Sequence, residues 1–148
     1  MRDFHLPRRS AALAGEAMAA TSHPLATLAA VEMLRGGGNA VDAAITAAAV
    51  LAVAEPHMTG IGGDCFVIYA PKGRAPIALN GSGRAAMRAS LDWYIAKGLR
   101  VIDANSPHAV TVPGAVDAWT TLAADHGTKE MAALLAPAIR LAEEGCVV

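Results

Sequence analysis

The sequence predicts an α+β domain in which helices cover an antiparallel sheet. Three observations carry that expectation. Two helix-patterned stretches with marked ends stand first, two short strand-like runs joined by a Pro-Lys-Gly turn follow, and further helical stretches come last. Strands and helices do not alternate as they would in a parallel sheet.

In chain order, "PLATLAAVEMLRGGG" places Pro24 in a first helical turn, spaces Leu25, Leu28, Ala29 and Met33 at helical intervals, and stops at Gly36. The preceding Thr21, Ser22 and His23 read as helix-entry residues, with the hydroxyls as caps. "NAVDAAITAAAVLAVAEP" follows: the Asn39 side chain is suited to accept a backbone N–H, Asp42 adds negative charge where the helix dipole favours it, and Pro56 ends the helix. Apolar residues cover every face of this stretch, yet it is shorter than the ~20 residues a bilayer requires. It is expected to be a buried helix rather than a membrane span. The glycine-rich "TGIGGD" then leads into strand-forming residues from Cys65 to Ala70, and Pro71, Lys72 and Gly73 turn the chain into a second run, "PIAL". "ASLDWYIAKG" predicts a helix capped at Ser90 and stopped at Gly98, and "PGAVDAWTTLAADHG" one opened by Pro113 and closed at Gly127. "KEMAALLAPAIRLAEEG" supplies one or two more, with Pro137 breaking or kinking the pattern after Ala136. The final "LAEEGCVV" reads as an extended segment cut short, and a fragment of a longer protein is expected.

Composition narrows the function. The 148 residues suffice for one domain, and with 54% hydrophobic but only 4% aromatic residues the core must be built of alanine and small aliphatics. A formal net charge of −1 without blocks of like charge gives a nucleic-acid or membrane-surface partner no electrostatic support; a small, neutral partner is expected. Cys65 and Cys146 form neither a disulfide framework nor a metal-ligand spacing and are expected to be inert core thiols. No metal or cofactor is expected. Residues 1–16 read as an N-terminal extension: Arg8 and Arg9 precede an alanine-rich stretch that Gly15 and Glu16 interrupt, leaving the apolar run too short for a signal peptide. The expected location is cytoplasmic.

The segment from "MAATSHPLATLAAVEMLRGGGNAVDAAITAAAVLAVAEPHMTGIGGDCFVIY" together with "TVPGAVDAW" resembles the N-terminal part of the large subunit of gamma-glutamyltranspeptidase-like proteins, which are N-terminal-nucleophile hydrolases. "GGNAVDAA" and "GIGGD" are its most specific strings, and the resemblance covers residues 17–148 as a partial large-subunit domain. It implies part of a four-layer αββα fold made as a self-cleaving precursor. A threonine freed at the start of a small subunit, outside this chain, would be nucleophile and, through its own amine, general base. The implied substrate is a small amide, gamma-glutamyl or a related acyl amide, attacked through an intermediate held in an oxyanion hole.

Several residues invite a catalytic reading and have plainer ones. "TSH" at Thr21 to His23 imitates the opening of a small subunit, but a helical pattern follows where a strand should. "TGIGGD" lacks the helix and basic residue of a phosphate cradle. His57 and His108 read as hydrogen-bonded loop residues, Asp64 as a carboxylate capping turn amides, and Pro113 in "TVPGAV" as a helix opener.

The substrate-binding candidates lie in "NGSGRAA", Asn80 to Ala86. In typical members of the family the matching stretch reads D-F-R-E-x-A-P, and its arginine pairs with the substrate's alpha-carboxylate. Here Ser82 stands at that position and Arg84 two residues later, a departure that sets gamma-glutamyl specificity in question. Either Arg84 reaches the pocket from a loop flexed at Gly81 and Gly83, or Ser82 and polar backbone serve a different amide, as in the acylase-like and oxamate-amidohydrolase-like branch. The second reading is preferred, with a solvated turn as the third. Two function classes follow: an enzyme part completed by a separate nucleophile segment, or a non-catalytic binding or structural module on the same half-fold.

Overall fold

The computed structural model describes residues 11–146, so Arg8, Arg9 and the closing apolar pair at 147–148 lie outside the described residues. Helix α1 spans Pro24–Arg35 and α2 Ala40–Ala54; strands β1 (Cys65–Tyr69) and β2 (Ile77–Gly81) follow, then α3 (Leu91–Ala96), α4 (Ala115–His126) and α5 (Met131–Glu144), with a single 3₁₀ turn at Pro107–Ala109. The α+β arrangement expected from the sequence is the one observed.

Helix α2 is central because its sequence leaves it no polar face. It packs against α1, α4 and α5. Ala26, Ala29 and Ala30 of α1 and Ala43 and Ala47 of α2 share one core cluster with Ile45, Val50, Trp119, Leu122 and Leu134. Small side chains on both helices let their backbones approach closely, so contact between many atoms replaces the bulk that aromatic residues supply elsewhere.

The start of α2 is tied to the far end of the chain. Asn39 Oδ1 accepts from the amides of Val41 and Asp42 at 2.9 and 3.0 Å, while Asp42 Oδ2 accepts from the Asn39 amide at 2.8 Å, a reciprocal capping box. The same fully buried Asp42 accepts from the Thr128 hydroxyl at 2.5 Å, the Thr128 amide at 3.0 Å and the Lys129 amide at 3.3 Å. The Asn39 side-chain amide donates to the His126 carbonyl at 2.7 Å. Burial alone would raise the Asp42 pKa; the Thr128 hydroxyl and the amides of Asn39, Thr128 and Lys129 outweigh it and hold the carboxyl below its ordinary range.

Two helix ends differ from expectation, and the stretch around Pro137 resolves to one helix rather than two. The N-cap of α1 is His23, whose Nδ1 accepts from the Leu25 amide at 3.2 Å. The hydroxyls before it are engaged elsewhere: Thr21 donates to the His23 carbonyl at 2.8 Å and shares a 2.7 Å bond with Thr27, and Ser22 bonds the Glu55 carboxylate. Pro113 does not open α4, because Gly114 occupies the cap position and the helix begins at Ala115. Pro137 neither breaks α5 nor ends it. The helix runs from Met131 to Glu144 through the proline, and buried Leu134 and Ala138 flank it on the α2 side, so packing offsets the missing backbone bond.

Strands β1 and β2 pair antiparallel, Cys65 with Gly81 through Tyr69 with Ile77, as the hairpin pattern predicts. Their inner face, with Cys65, Val67, Tyr69 and Leu79 half-buried, packs toward the core. The outer face carries Phe66 and Ile68 at 68% and 80% exposure, so helices cover only one side of this sheet among the described residues. No helix among the described residues is long and apolar enough to cross a membrane.

The folded pKa of Asp42 lies below its unfolded value, so the carboxylate stabilises the fold above the unfolded pKa, about 3.9, and that contribution is lost as pH falls through the folded pKa. Asp42→Asn is expected to lower stability at pH 7 by about 1 to 3 kcal/mol, the cost of leaving buried donors poorly paired, and to flatten the acid limb of the stability profile. Denaturant unfolding of the two proteins between pH 7 and pH 3 measures both; parallel profiles would remove Asp42 from this role.

Candidate functional site

Three segments converge where the hairpin ends, and glycines let them touch. A Cβ on Gly83 would stand 1.7 Å from the Val112 carbonyl oxygen, one on Gly114 2.3 Å from the Gly81 carbonyl, and one on Gly81 2.5 Å from the Ala118 Cβ. Neither Gly81 nor Gly83 has a positive φ, so these glycines are required for space, not for the flexed backbone angles expected from the sequence.

Hydrogen bonds hold the crossing in register. The Gly63 carbonyl accepts from the amides of Gly114 and Ala115 at 3.1 and 3.0 Å, so the "GIGGD" segment satisfies the free amides at the start of α4. The Arg84 carbonyl accepts from the Val112 amide at 2.9 Å, and Asn80 Oδ1 from the Ser82 amide at 3.0 Å. Asp64 Oδ1 accepts from the Gly83 amide at 3.1 Å and from the Thr111 hydroxyl at 3.4 Å. Asp64 is therefore a cap, as expected, but for the 82–84 segment rather than for its own turn. The quoted "NGSGRAA" is not merely a turn: it continues β2 into an extended segment clamped on one side by Asp64 and on the other by Val112.

The structure brings Ser82 and Arg84 together on this clamped segment. Both side chains are exposed, and neither makes a side-chain hydrogen bond among the described residues. Beyond the segment lies a cavity of about 350 Å³ bordered by Arg88, Trp93, Tyr94, His108 and Thr111. The Trp93, Tyr94 and His108 rings meet edge to face with centroids 5.1 to 5.6 Å apart. Sequence reasoning missed this cluster; its only signal was the pairing of scarce aromatic residues on one short helix.

Of the remaining candidates only His108 borders this cavity, among the described residues. His57 is exposed beside the end of α2, and His108 packs in the aromatic cluster. Thr21 is committed to the entry of α1. The Cys65 thiol is half-buried against the core, and burial pushes its pKa up against the opposing Trp119 hydrogen bond, which leaves it a poor nucleophile. Cys146 is also half-buried. Among the described residues, no group of three or more histidine, cysteine or acidic side chains is arranged to hold a metal.

The family model for gamma-glutamyltranspeptidase matches residues 26–148. The chain belongs to the gamma-glutamyltranspeptidase family. It is 41% identical over 132 residues to the glutathione hydrolase-like YwrD proenzyme of Bacillus subtilis, covering 86% of this chain and 24% of that protein. It is also 41% identical over 137 residues to the oxamate amidohydrolase proenzyme of Klebsiella pneumoniae, covering 88% of this chain and 26% of that protein. The crystal structure of Helicobacter pylori gamma-glutamyltranspeptidase superposes with a TM-score of 0.84 at 31% identity, over 93% of this chain and 40% of that one. This member of the gamma-glutamyltranspeptidase family thus spans about a quarter of the length of the curated relatives it matches.

The crossing has a direct test. Gly83→Ala must displace the Val112 backbone and is expected to cost about 1 to 3 kcal/mol, as overpacking does, whereas Ser82→Ala stays within about 0.5 kcal/mol. Chemical denaturation ranks the two variants, and equal stabilities would show that the segment is not clamped.

Proposed function

We propose that this chain is a large-subunit segment of an amide-cleaving hydrolase or acyltransferase of the gamma-glutamyltranspeptidase family. The activity would be completed by an N-terminal threonine on a small subunit outside this chain. The observation that carries the reading is the family match together with the clamped segment at Asn80–Arg84, where the resemblance puts the substrate-contacting arginine of typical members. The threonine hydroxyl would attack the amide carbonyl while its own amine takes the proton and passes it to the leaving amine. Water or a second amine would then release the acyl group. The role of the present chain in those steps is to bind and orient: it supplies one wall of the acyl pocket through Ser82, Arg84 and the backbone between them. The substrate is a small amide, and the partner is the small subunit. A cytoplasmic location is part of the proposal.

Expression of the full-length protein is expected to give spontaneous splitting into two fragments on a denaturing gel, with amide hydrolysis appearing as the precursor band fades. A single uncleaved, inactive band would overturn the reading and favour a non-catalytic module. In the processed protein, Ser82→Ala is expected to lower kcat/KM by about fivefold for neutral and carboxylate-bearing acyl amides alike, the worth of one neutral hydrogen bond. Arg84→Ala is expected to lower it for the carboxylate-bearing amide alone, by about tenfold or more, while self-cleavage proceeds in both variants. An unchanged ratio of the two amides in Arg84→Ala would leave recognition to Ser82 and the backbone.

A further inference from the structure

We propose that Asp64 sets the charge preference of the acyl pocket by discriminating against acyl groups that end in a carboxylate. The inference rests on the reading above, that the Asn80–Arg84 segment borders that pocket.

Three observations carry it. First, Asp64 is the last residue of "TGIGGD" and stands immediately before β1, so the hairpin register that pairs Cys65 with Gly81, continued by one residue, sets Asp64 opposite Ser82 and next to Gly83. Secondly, Asp64 Oδ1 accepts from the Gly83 amide at 3.1 Å and from the Thr111 hydroxyl at 3.4 Å. The Gly83 N–H is thereby consumed by a fixed carboxylate and cannot also serve an incoming one. Thirdly, the segment cannot swing away to expose a fresh donor, because Gly83 is pressed against the Val112 carbonyl and the Arg84 carbonyl is held by the Val112 amide. The Ser82 amide is taken as well, by Asn80 Oδ1.

The consequence is electrostatic. A backbone N–H beside a side chain at the Ser82 position is the kind of donor that a substrate carboxylate would use. Here the protein's own carboxylate already occupies it. Any acyl terminus that reaches the Ser82–Gly83 backbone meets a negative charge within one residue, and two like charges at such separation repel even in partly solvated surroundings. A neutral acyl terminus meets the same backbone without that penalty. Arg84, exposed on the same segment, acts in the opposite sense, and Asp64 limits what the guanidinium can gain.

The test uses the full-length, processed protein and a matched pair of anilides, butyryl and succinyl, which differ in ending on a methyl or a carboxylate. Asp64→Asn is expected to raise the succinyl-to-butyryl ratio of kcat/KM by about fivefold or more, through a lower KM for the succinyl compound, with the butyryl compound as the neutral reference for any general loss. Raising ionic strength on the Arg84→Ala protein, from which the opposing cation has been removed, provides a measurement independent of Asp64→Asn: it should raise kcat/KM for the succinyl anilide and leave the butyryl anilide unchanged. A ratio unmoved both by Asp64→Asn and by salt, while Ser82→Ala changes KM for either anilide, overturns the role of Asp64 and leaves the pocket assignment standing. If none of Asp64→Asn, Ser82→Ala and Arg84→Ala changes KM for either anilide, the segment does not border the pocket and both readings fall. Should Asp64→Asn fail to accumulate as processed protein, the salt series alone decides.

Discussion

The fold depends on the knot at Asn39 and Asp42. One carboxylate, fully buried, collects the amides of Asn39, Thr128 and Lys129 and the Thr128 hydroxyl, while the Asn39 side chain holds the His126 carbonyl. A buried charge is tolerable only when its hydrogen-bonding capacity is filled, and here the donors come from segments more than eighty residues apart in the chain. The constraint is therefore mutual. The helix start needs the turn between α4 and α5 to satisfy its aspartate, and that turn needs the aspartate to satisfy its amides.

From this knot the rest of the geometry propagates. Fixing the end of α4 at His126 fixes its direction, and Trp119 and Leu122 then enter the cluster around α2. The other end of α4 is anchored by the Gly63 carbonyl and lies against Gly81, so the last residue of β2 is positioned by a helix whose far end is held at Asp42. Tyr69, at the opposite end of β1, packs its ring tilted against His126 with centroids 4.9 Å apart, which couples the hairpin to the knot directly. The segment that carries Ser82 and Arg84 is thus mounted on a rigid corner, though its own side chains are solvent-exposed.

Much of this was legible in the residues, and the boundary of legibility has a physical cause. Signals that act within one turn of chain were read correctly: the Asn39 cap, the Gly36 and Gly98 stops, the hairpin around Gly73, the buried character of α2. What failed depended on partners distant in sequence. Thr21 and Ser22 look like caps locally, but Glu55 and Thr27 claim their hydroxyls and leave the cap to His23. Pro137 should interrupt a helix by local rules, yet the face that contains Leu134 and Ala138 packs on α2 across it. At the candidate site, Ser82 and Arg84 were nominated through a family resemblance alone, whereas the reach of Asp64 to Gly83 and the reason for three glycines appear only when the chain crosses itself.

That crossing also explains why the departures from the typical family pattern belong together. A strand end that must pass within contact distance of the 111–114 segment has no room for side chains at Gly81, Gly83 and Gly114, so the bulky residues of D-F-R-E cannot simply be restored there. Replacing the arginine position by Ser82 removes a cation, and the Asp64 carboxylate then bonds the backbone beside it. The glycines and the Asp64 contact thus answer one geometric demand: the end of β2, the 111–114 segment and the start of α4 meet with no room for side chains between them.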